Sequence, residues 1–209
     1  MIIDISRKLN NQTPNWPGDT PFSYSMTWSM EESSSVNVGK ITTSVHIATH
    51  VDSPFHFHSN GMKVDQLPLD VFVGDALVID VTNKSEIRVN DLENHDIESV
   101  RRVILKTNAW LDETKFPDEI PLLDPALGKF FKENGIELLG VDLPSVDPLD
   151  SKTLDTHHAL HDHGVHILEG LKLSHVEPGI YRLTALPLFI EGADGSPVRA
   201  ILEPLNIGG

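Results

Sequence analysis

The sequence predicts a mixed α/β fold, because two short apolar segments flank a segment that has the pattern of a helix. Residues 103–107 and 136–141 are typical of short buried strands and are too short to be core helices. Residues 124–135 between them carry helix signals at both ends, with Asp124 as the N-cap and Gly135 as the stop. A strand–helix–strand crossover is therefore predicted.

The other elements are predicted from turn residues, cap residues and the alternation of apolar with polar side chains. No helix signal is present in the first third of the chain. One further short helix is predicted at 151–164, with Asp155 or Thr156 as its N-cap and Gly164 as its end. Strand-like patterns are predicted at residues 2–5, 22–28, 36–51, 71–81, 165–170, 181–190 and 197–205, with a break at 191–196.

The composition restricts both the compartment and the partners of the protein. With 209 residues, one compact domain over 1–209 is expected. The 31 acidic and 16 basic residues give a net charge of −15, which disfavours nucleic acid and anionic membranes as partners. Asp4 interrupts the apolar start that a signal peptide would need, and no apolar run is long enough to span a membrane. A cytoplasmic protein is expected.

A cluster of histidines between residues 46 and 58 is the first candidate site. The chain has no cysteine, so a metal ion would have to bind to histidine and carboxylate. Polar and apolar side chains alternate there, and an extended segment 44–52 would present His46, His50 and Asp52 on one face. These groups suit Zn²⁺, Mn²⁺ or Fe²⁺, and a carboxylate can bridge two ions. Solvated side chains are the alternative, which we favour for His58.

A buried carboxylate further along the chain is the second candidate. In the strand predicted at 165–170, Glu169 shares a face with Val165 and Ile167, and burying it is costly unless its charge is compensated. His157, at the start of the predicted helix, could be brought to the same place by the turn at Gly164. His158 is ambiguous, and surface or structural roles are expected for His95, His161, His163, His166 and His175. Asp142 and Asp147 are expected to cap turns.

The sequence resembles the bacterial kynurenine formamidases, within the larger family of cyclase-like metal hydrolases. The hallmark of that family is a His-x-Gly-Thr-His-x-Asp-x-Pro-x-His stretch, which residues 46–56 match with one departure, Ala48 in place of glycine. Further segments agree in order along nearly the whole chain: residues 15–19, 140–147, 150–153, 157–169 and 196–200.

The resemblance implies a binuclear zinc site. His46, His50 and Asp52 look like ligands of a first ion, while Asp52, His157 and Glu169 look like ligands of a second, so that the carboxylates bridge. The resemblance also implies a compact α/β domain of the swivelling β/β/α type, assembled as a homodimer in which the partner subunit could complete each site.

Two further residues gain roles from the resemblance. His56 matches the catalytic acid/base of the family, and Trp16 matches an aromatic side chain that contacts the substrate. The methyl group of Ala48 is expected to be harmless.

The reaction that the resemblance implies is hydrolysis of N-formyl-L-kynurenine, a small aromatic formamide, to L-kynurenine and formate in tryptophan degradation. Two ions would lower the pKa of a shared water and polarise the formyl oxygen, and His56 would return a proton to the leaving nitrogen. Two alternatives stay open. One is a sister hydrolase acting on another amide or on a lactam, and the other is a non-catalytic metal-binding protein.

Overall fold

The computed structural model describes residues 1–205, which fold around one large mixed sheet. The helices are α1 (Met30–Ser33), α2 (Ala126–Glu133) and α3 (Asp155–Asp162). The strands are β1 (Ile3–Asp4), β2 (Ser23–Trp28), β3 (Val38–Thr42), β4 (His50–Asp52), β5 (Val73–Asp80), β6 (Glu86–Ile87), β7 (Arg102–Lys106), β8 (Leu122–Leu123), β9 (Leu138–Val141), β10 (His166–Glu169), β11 (Gly179–Thr184), β12 (Gly195–Pro197) and β13 (Ile201–Pro204).

The large sheet has nine strands in the order β1-β13-β11-β5-β7-β9-β10-β4-β12. Its centre, β5 to β10, is parallel, while the strands on both flanks pair antiparallel. The predicted crossover is confirmed, because β7 and β9 are parallel neighbours joined through α2. Asp124 lies just before the N-cap, Pro125, and its carboxylate accepts the Ala126 N–H at 2.9 Å. The mixed α/β fold is therefore confirmed.

Apolar side chains cover both faces of this sheet. On β5, Leu77 and Ile79 pack into the cluster that contains side chains of α2 and α3, whereas Ala76 and Val78 pack into a second cluster on the opposite face. Each fully buried aliphatic side chain stabilises the fold by about 1.5–3 kcal/mol. None of the helices within residues 1–205 is long and apolar enough to cross a membrane. The single domain over 1–209 stays a prediction, and residues 206–209 lie outside the described chain.

The prediction that residues 44–52 form one extended segment is wrong. Strand β3 ends at Thr42, β4 begins at His50, and residues 45–49 bend, with Ala48 at a φ of +52°. The bend is needed because β3 pairs only with β2 in a separate hairpin, while β4 pairs with β10 and β12 in the large sheet. The chain has to change direction between the two sheets.

Four smaller predictions are also corrected. The first third of the chain does contain a helix, the single turn α1, which a capping box between Ser29 and Glu32 closes. The strand predicted at 181–190 ends at Thr184, and β12 begins inside the predicted break. The N-cap of α3 is Leu154, so Asp155 and Thr156 are its first two residues. Short edge strands and single turns carry too few residues for a pattern to appear.

We predict that Ala48→Gly stabilises the protein. A left-handed φ costs an L-residue about 1–2 kcal/mol, and glycine avoids this cost at a smaller entropic loss. The free energy of unfolding in urea should rise by about 0.5–1 kcal/mol. Ala159→Gly in α3 is the matched control, and it should lower the same quantity by about 1 kcal/mol. A lower stability of the Ala48 variant would contradict the assigned strain.

Candidate metal centre

Two paired strands of the large sheet supply the base of the centre. Strand β4 carries His50 and Asp52, and β10 carries Glu169 directly opposite His50 in the antiparallel register. All three side chains are buried, at 3–4% exposure. They lie on the face that packs against α2 and α3, because Ile167, paired with Asp52, belongs to that cluster.

Helix α3 brings His157 to the same place. The Nε2 atom of His157 lies 3.3 Å from Asp52 Oδ2 and 3.8 Å from Glu169 Oε1. From the other side, His50 Nε2 lies 3.4 Å from Asp52 Oδ1 and 3.4 Å from Glu169 Oε2. Each carboxylate therefore presents one oxygen to His50 and its other oxygen to His157.

The bend before β4 positions two histidines. It turns His46 back towards Asp52, so that His46 Nδ1 lies 2.8 Å from Asp52 Oδ1. It also places the carbonyl of Ala48 where the Nδ1–H of His50 donates to it at 3.1 Å. The Nε2 atom of His50 is thereby left to face the carboxylates. The structure thus brings together all five predicted ligands, although by a bend and not by an extended strand.

The donor set fits divalent cations. Ligand atoms about 2.0–2.2 Å from a tetrahedral ion lie about 3.4 Å from one another, close to the separations of 3.3–3.8 Å between the two histidines and the two carboxylates. Among residues 1–205, two groups of three donors lie close enough to hold an ion, His50–Asp52–Glu169 and His46–Asp52–His56. The second group combines two predicted ligands, His46 and Asp52, with His56, which is predicted to be the catalytic acid/base and not a ligand.

His56 lies at the open side of the cluster. It ends a single 3-10 turn, Pro54–His56, that follows β4, and its side chain is 35% exposed. Its ring centroid is 3.8 Å from that of His46 and 6.2 Å from that of His157. Burial among these groups lowers the pKa of His56, so its imidazole is largely neutral near pH 7. A neutral imidazole can accept a proton and return it.

The electrostatics of the cluster favour bound positive charge. Burial by itself would lower the pKa values of His50 and His157. Asp52 and Glu169 nevertheless raise the pKa of His50 to about 10, and a hydrogen bond to Asp147, together with Asp52 and Glu169, raises that of His157 to about 10. Burial also raises the pKa of Asp52, yet hydrogen bonds from three histidines hold it well below its usual value. The pKa of Glu169 is raised by burial and by the charge of Asp52. Protons and metal ions would thus compete for the same donors.

Two carboxylates of the centre were not predicted as site residues. Asp147, expected to cap a turn, accepts the Nδ1–H of His157 at 2.6 Å. Asp194 lies 2.9 Å from His46 Nε2 and 3.7 Å from His56 Nδ1. The position of Asp147 after a buried strand was a usable signal, whereas nothing in the sequence links Asp194 to a histidine far along the chain.

Trp16, the predicted substrate contact, packs edge-on against Phe116 with their ring centroids 5.4 Å apart. Its predicted role stays a prediction. A separate cavity of about 250 Å³ adjoins Asp52, and its apolar walls include Phe57 and Met62.

The sequence is similar to known proteins over nearly its whole length. Residues 3–148 match the family described as putative cyclase. The kynurenine formamidase of a Bacillus cereus strain is 54% identical over 203 residues, 97% of each chain. That of a Geobacillus thermodenitrificans strain is 52% identical over 204 residues, 98% of each chain.

Solved structures share the fold. A potential metal-dependent hydrolase with cyclase activity superposes with a TM-score of 0.82 at 25% identity, covering 98% of this chain and 99% of the other. Isatin hydrolase A from Ralstonia solanacearum gives a TM-score of 0.81 at 22% identity, covering 97% of this chain and 91% of the other.

Proposed function

Because the chain belongs to the cyclase family and within it to the kynurenine formamidases, we propose that it hydrolyses N-formyl-L-kynurenine to L-kynurenine and formate in tryptophan degradation. One observation supports metal-dependent hydrolysis above the others. Asp52 and Glu169 each direct one carboxylate oxygen towards His50 and the other towards His157. The substrate is supported by relatives that are 52–54% identical over 97–98% of this chain.

Two divalent cations, zinc in our proposal, would be held by the five converging donors. His46, His50 and Asp52 would bind one cation, and Asp52, His157 and Glu169 the other. Bound there, they would supply an acidified water and a Lewis acid for the formyl oxygen. The chain has no cysteine to act as a nucleophile, and this chemistry needs no nucleophilic side chain.

His56 is the residue that we propose moves the proton. Hydrolysis breaks the bond between the formyl carbon and the arylamine nitrogen, and this nitrogen needs a proton as it leaves. His56 lies at the exposed edge of the cluster and has a lowered pKa, so it can take a proton from the attacking water and deliver it to the nitrogen. Asp194, 3.7 Å from Nδ1 of His56, can orient the ring.

The aromatic part of the substrate has two candidate contacts. Trp16 lies in a segment rich in turn residues and could stack against the ring. The cavity beside Asp52, with a volume of about 250 Å³ and apolar walls, has room for one aromatic ring.

A homodimer is part of the proposal, and the hairpin of β2 and β3 supports it. Every residue of both strands is exposed, although several are large and apolar: Tyr24, Met26, Trp28, Val38 and Ile41. A two-stranded hairpin is marginally stable in water, and exposed apolar patches of this kind mark interaction surfaces. We propose that a second copy of the chain packs against this hairpin. A measured mass in solution equal to that of a monomer would reject the homodimer. The expected cytoplasmic location stays a prediction.

The experiment that tests the function compares metal-replete with chelated protein on a panel of substrates. We expect N-formylkynurenine and simple formanilides to be hydrolysed, activity to disappear with a chelator, and activity to return when zinc is added back. Elemental analysis should find about two ions per chain.

The same panel includes lactams, which would be the substrates of a sister hydrolase. Isatin hydrolase A shares only the fold at 22% identity, so its likeness does not support a lactam substrate for this chain. Turnover of lactams alone would reject the formamidase assignment, and full activity without metal would reject the metal centre.

A further inference from the structure

Asp147 makes two kinds of contact with one short helix. Its Oδ1 atom accepts the backbone N–H of Thr156 at 2.9 Å, and its Oδ2 atom accepts that of His157 at 3.0 Å. The same Oδ2 atom lies 2.6 Å from Nδ1 of the His157 ring. Asp147 is buried at 2% exposure, so these bonds are shielded from water.

The backbone contacts replace an ordinary cap. The N-cap residue of α3, Leu154, has a φ of +51° and contributes no side-chain hydrogen bond. The first N–H groups of a helix have no partner within the helix, and here a carboxylate nine and ten residues away in sequence satisfies two of them. Asp147 therefore fixes where α3 begins.

The ring contact decides which nitrogen of His157 faces the ligands. In the neutral ring that binds metal, an Nδ1–H that donates to Asp147 leaves the lone pair on Nε2, which points at Asp52 and Glu169. Because one carboxylate holds both the backbone and the ring of His157, the ring cannot turn relative to the helix start without losing a bond. Carboxylates that hold a metal-binding histidine in this way raise its affinity for metal.

We propose that Asp147 is a positioning residue, which presents Nε2 of His157 to the second metal ion. This inference rests on the proposed metal centre. It assigns to the carboxylate a function beyond that of capping a helix. It predicts an effect on metal affinity and on the ring tautomer of His157, and capping alone would not produce the second effect.

The chain contains a matched control for this role. Asp142 also follows β9 and is buried at 3% exposure. Its carboxylate accepts two backbone N–H groups, those of Thr107 and Asn108, and the hydroxyl of Thr107. All of its side-chain bonds in the described chain are with these two residues. Asp142 thus shares the capping role of Asp147 without the histidine.

The test compares Asp147→Asn with Asp142→Asn in zinc affinity, measured by competition with a chromophoric chelator. In each variant the NH₂ group of the new amide faces backbone N–H groups that the carboxylate had accepted. Both variants should therefore have a lower Tm than wild type. The amide in place of Asp147 can also donate to Nδ1 of His157, which moves the ring proton to Nε2 and blocks that ligand. Zinc affinity should fall roughly 10- to 100-fold in the Asp147 variant and stay unchanged in the Asp142 variant.

A second measurement is made on wild-type protein, so it holds even if the Asp147 variant does not fold. In zinc-loaded protein, ¹⁵N NMR of the His157 ring should show the proton on Nδ1. A proton on Nε2, equal zinc affinity of the Asp147 variant and wild type, or an equal loss in the Asp142 variant would each overturn the positioning role. Wild-type protein that binds zinc but hydrolyses no formanilide would reject the proposed function and leave this inference standing.

Discussion

Replacing Asp52 by asparagine is expected to empty the metal centre and to reduce hydrolysis to background. Asp52 lies within 3.4 Å of His46, His50 and His157, so both proposed ions depend on its two oxygens. An amide has one acceptor oxygen, and its NH₂ group would point donors at a site built for cations. Because a bound cation contributes several kcal/mol and each 1.36 kcal/mol is a factor of ten in rate, kcat/KM should fall by about three orders of magnitude or more.

The measurements for this variant are metal content by elemental analysis and turnover of N-formylkynurenine. Asp142→Asn serves as the control, because it also removes a buried carboxylate but touches no ligand. The control should keep two ions per chain and its activity. A fully metallated Asp52 variant would show that this carboxylate does not bridge.

His56→Ala is expected to lose hydrolysis, as Asp52→Asn does, but to retain its metal. The substitution removes the proposed proton carrier, and general acid–base groups contribute roughly 10²- to 10⁴-fold to rate. Because the five ligands are untouched, the metal content should match that of wild type. The loss should appear in kcat, and it should be smaller for formanilides whose leaving nitrogen is less basic and needs the proton less.

His58→Ala is the matched control for this prediction. His58 lies two residues further along the same segment, is exposed, and its ring packs beside His161. Its removal should leave both metal and turnover unchanged. Unchanged turnover in His56→Ala would remove the proposed role, and so would a loss of metal. The second result would instead assign His56 as a ligand beside His46 and Asp52, an arrangement that the distances permit.

The parts of the fold that could be predicted are those set by local pattern. The unit β7–α2–β9 has buried strands and a capped helix, and each of these leaves a signal within a few residues. The bend at 45–49 left no such signal, because the alternation of side chains there resembles that of a strand. The bend is imposed by pairing of β4 with β10 and β12, which are distant in sequence.

The candidate site shows the same limit. The clustering of His46, His50 and Asp52 was visible because these residues are close in sequence, although the expected geometry was wrong. Asp194 contacts His46 across 148 residues, and only the sheet topology brings them together. Local patterns therefore pointed to side chains that converge in the candidate site, but not to carboxylates such as Asp194 that contact them from distant parts of the chain.

Strand β4 has a further consequence, which concerns the order of events while the chain is being made. Its two partners are residues 166–169 and 195–197, so each edge of β4 stays unpaired until more than 100 further residues have been made. A domain generally folds as a unit during synthesis, and unpaired strand edges invite pairing with other chains. Residues 50–52 can therefore be paired on both edges only after residues 166–169 and 195–197 have been made, and the donors on β4 can meet Glu169 of β10 only from the first of these points onwards.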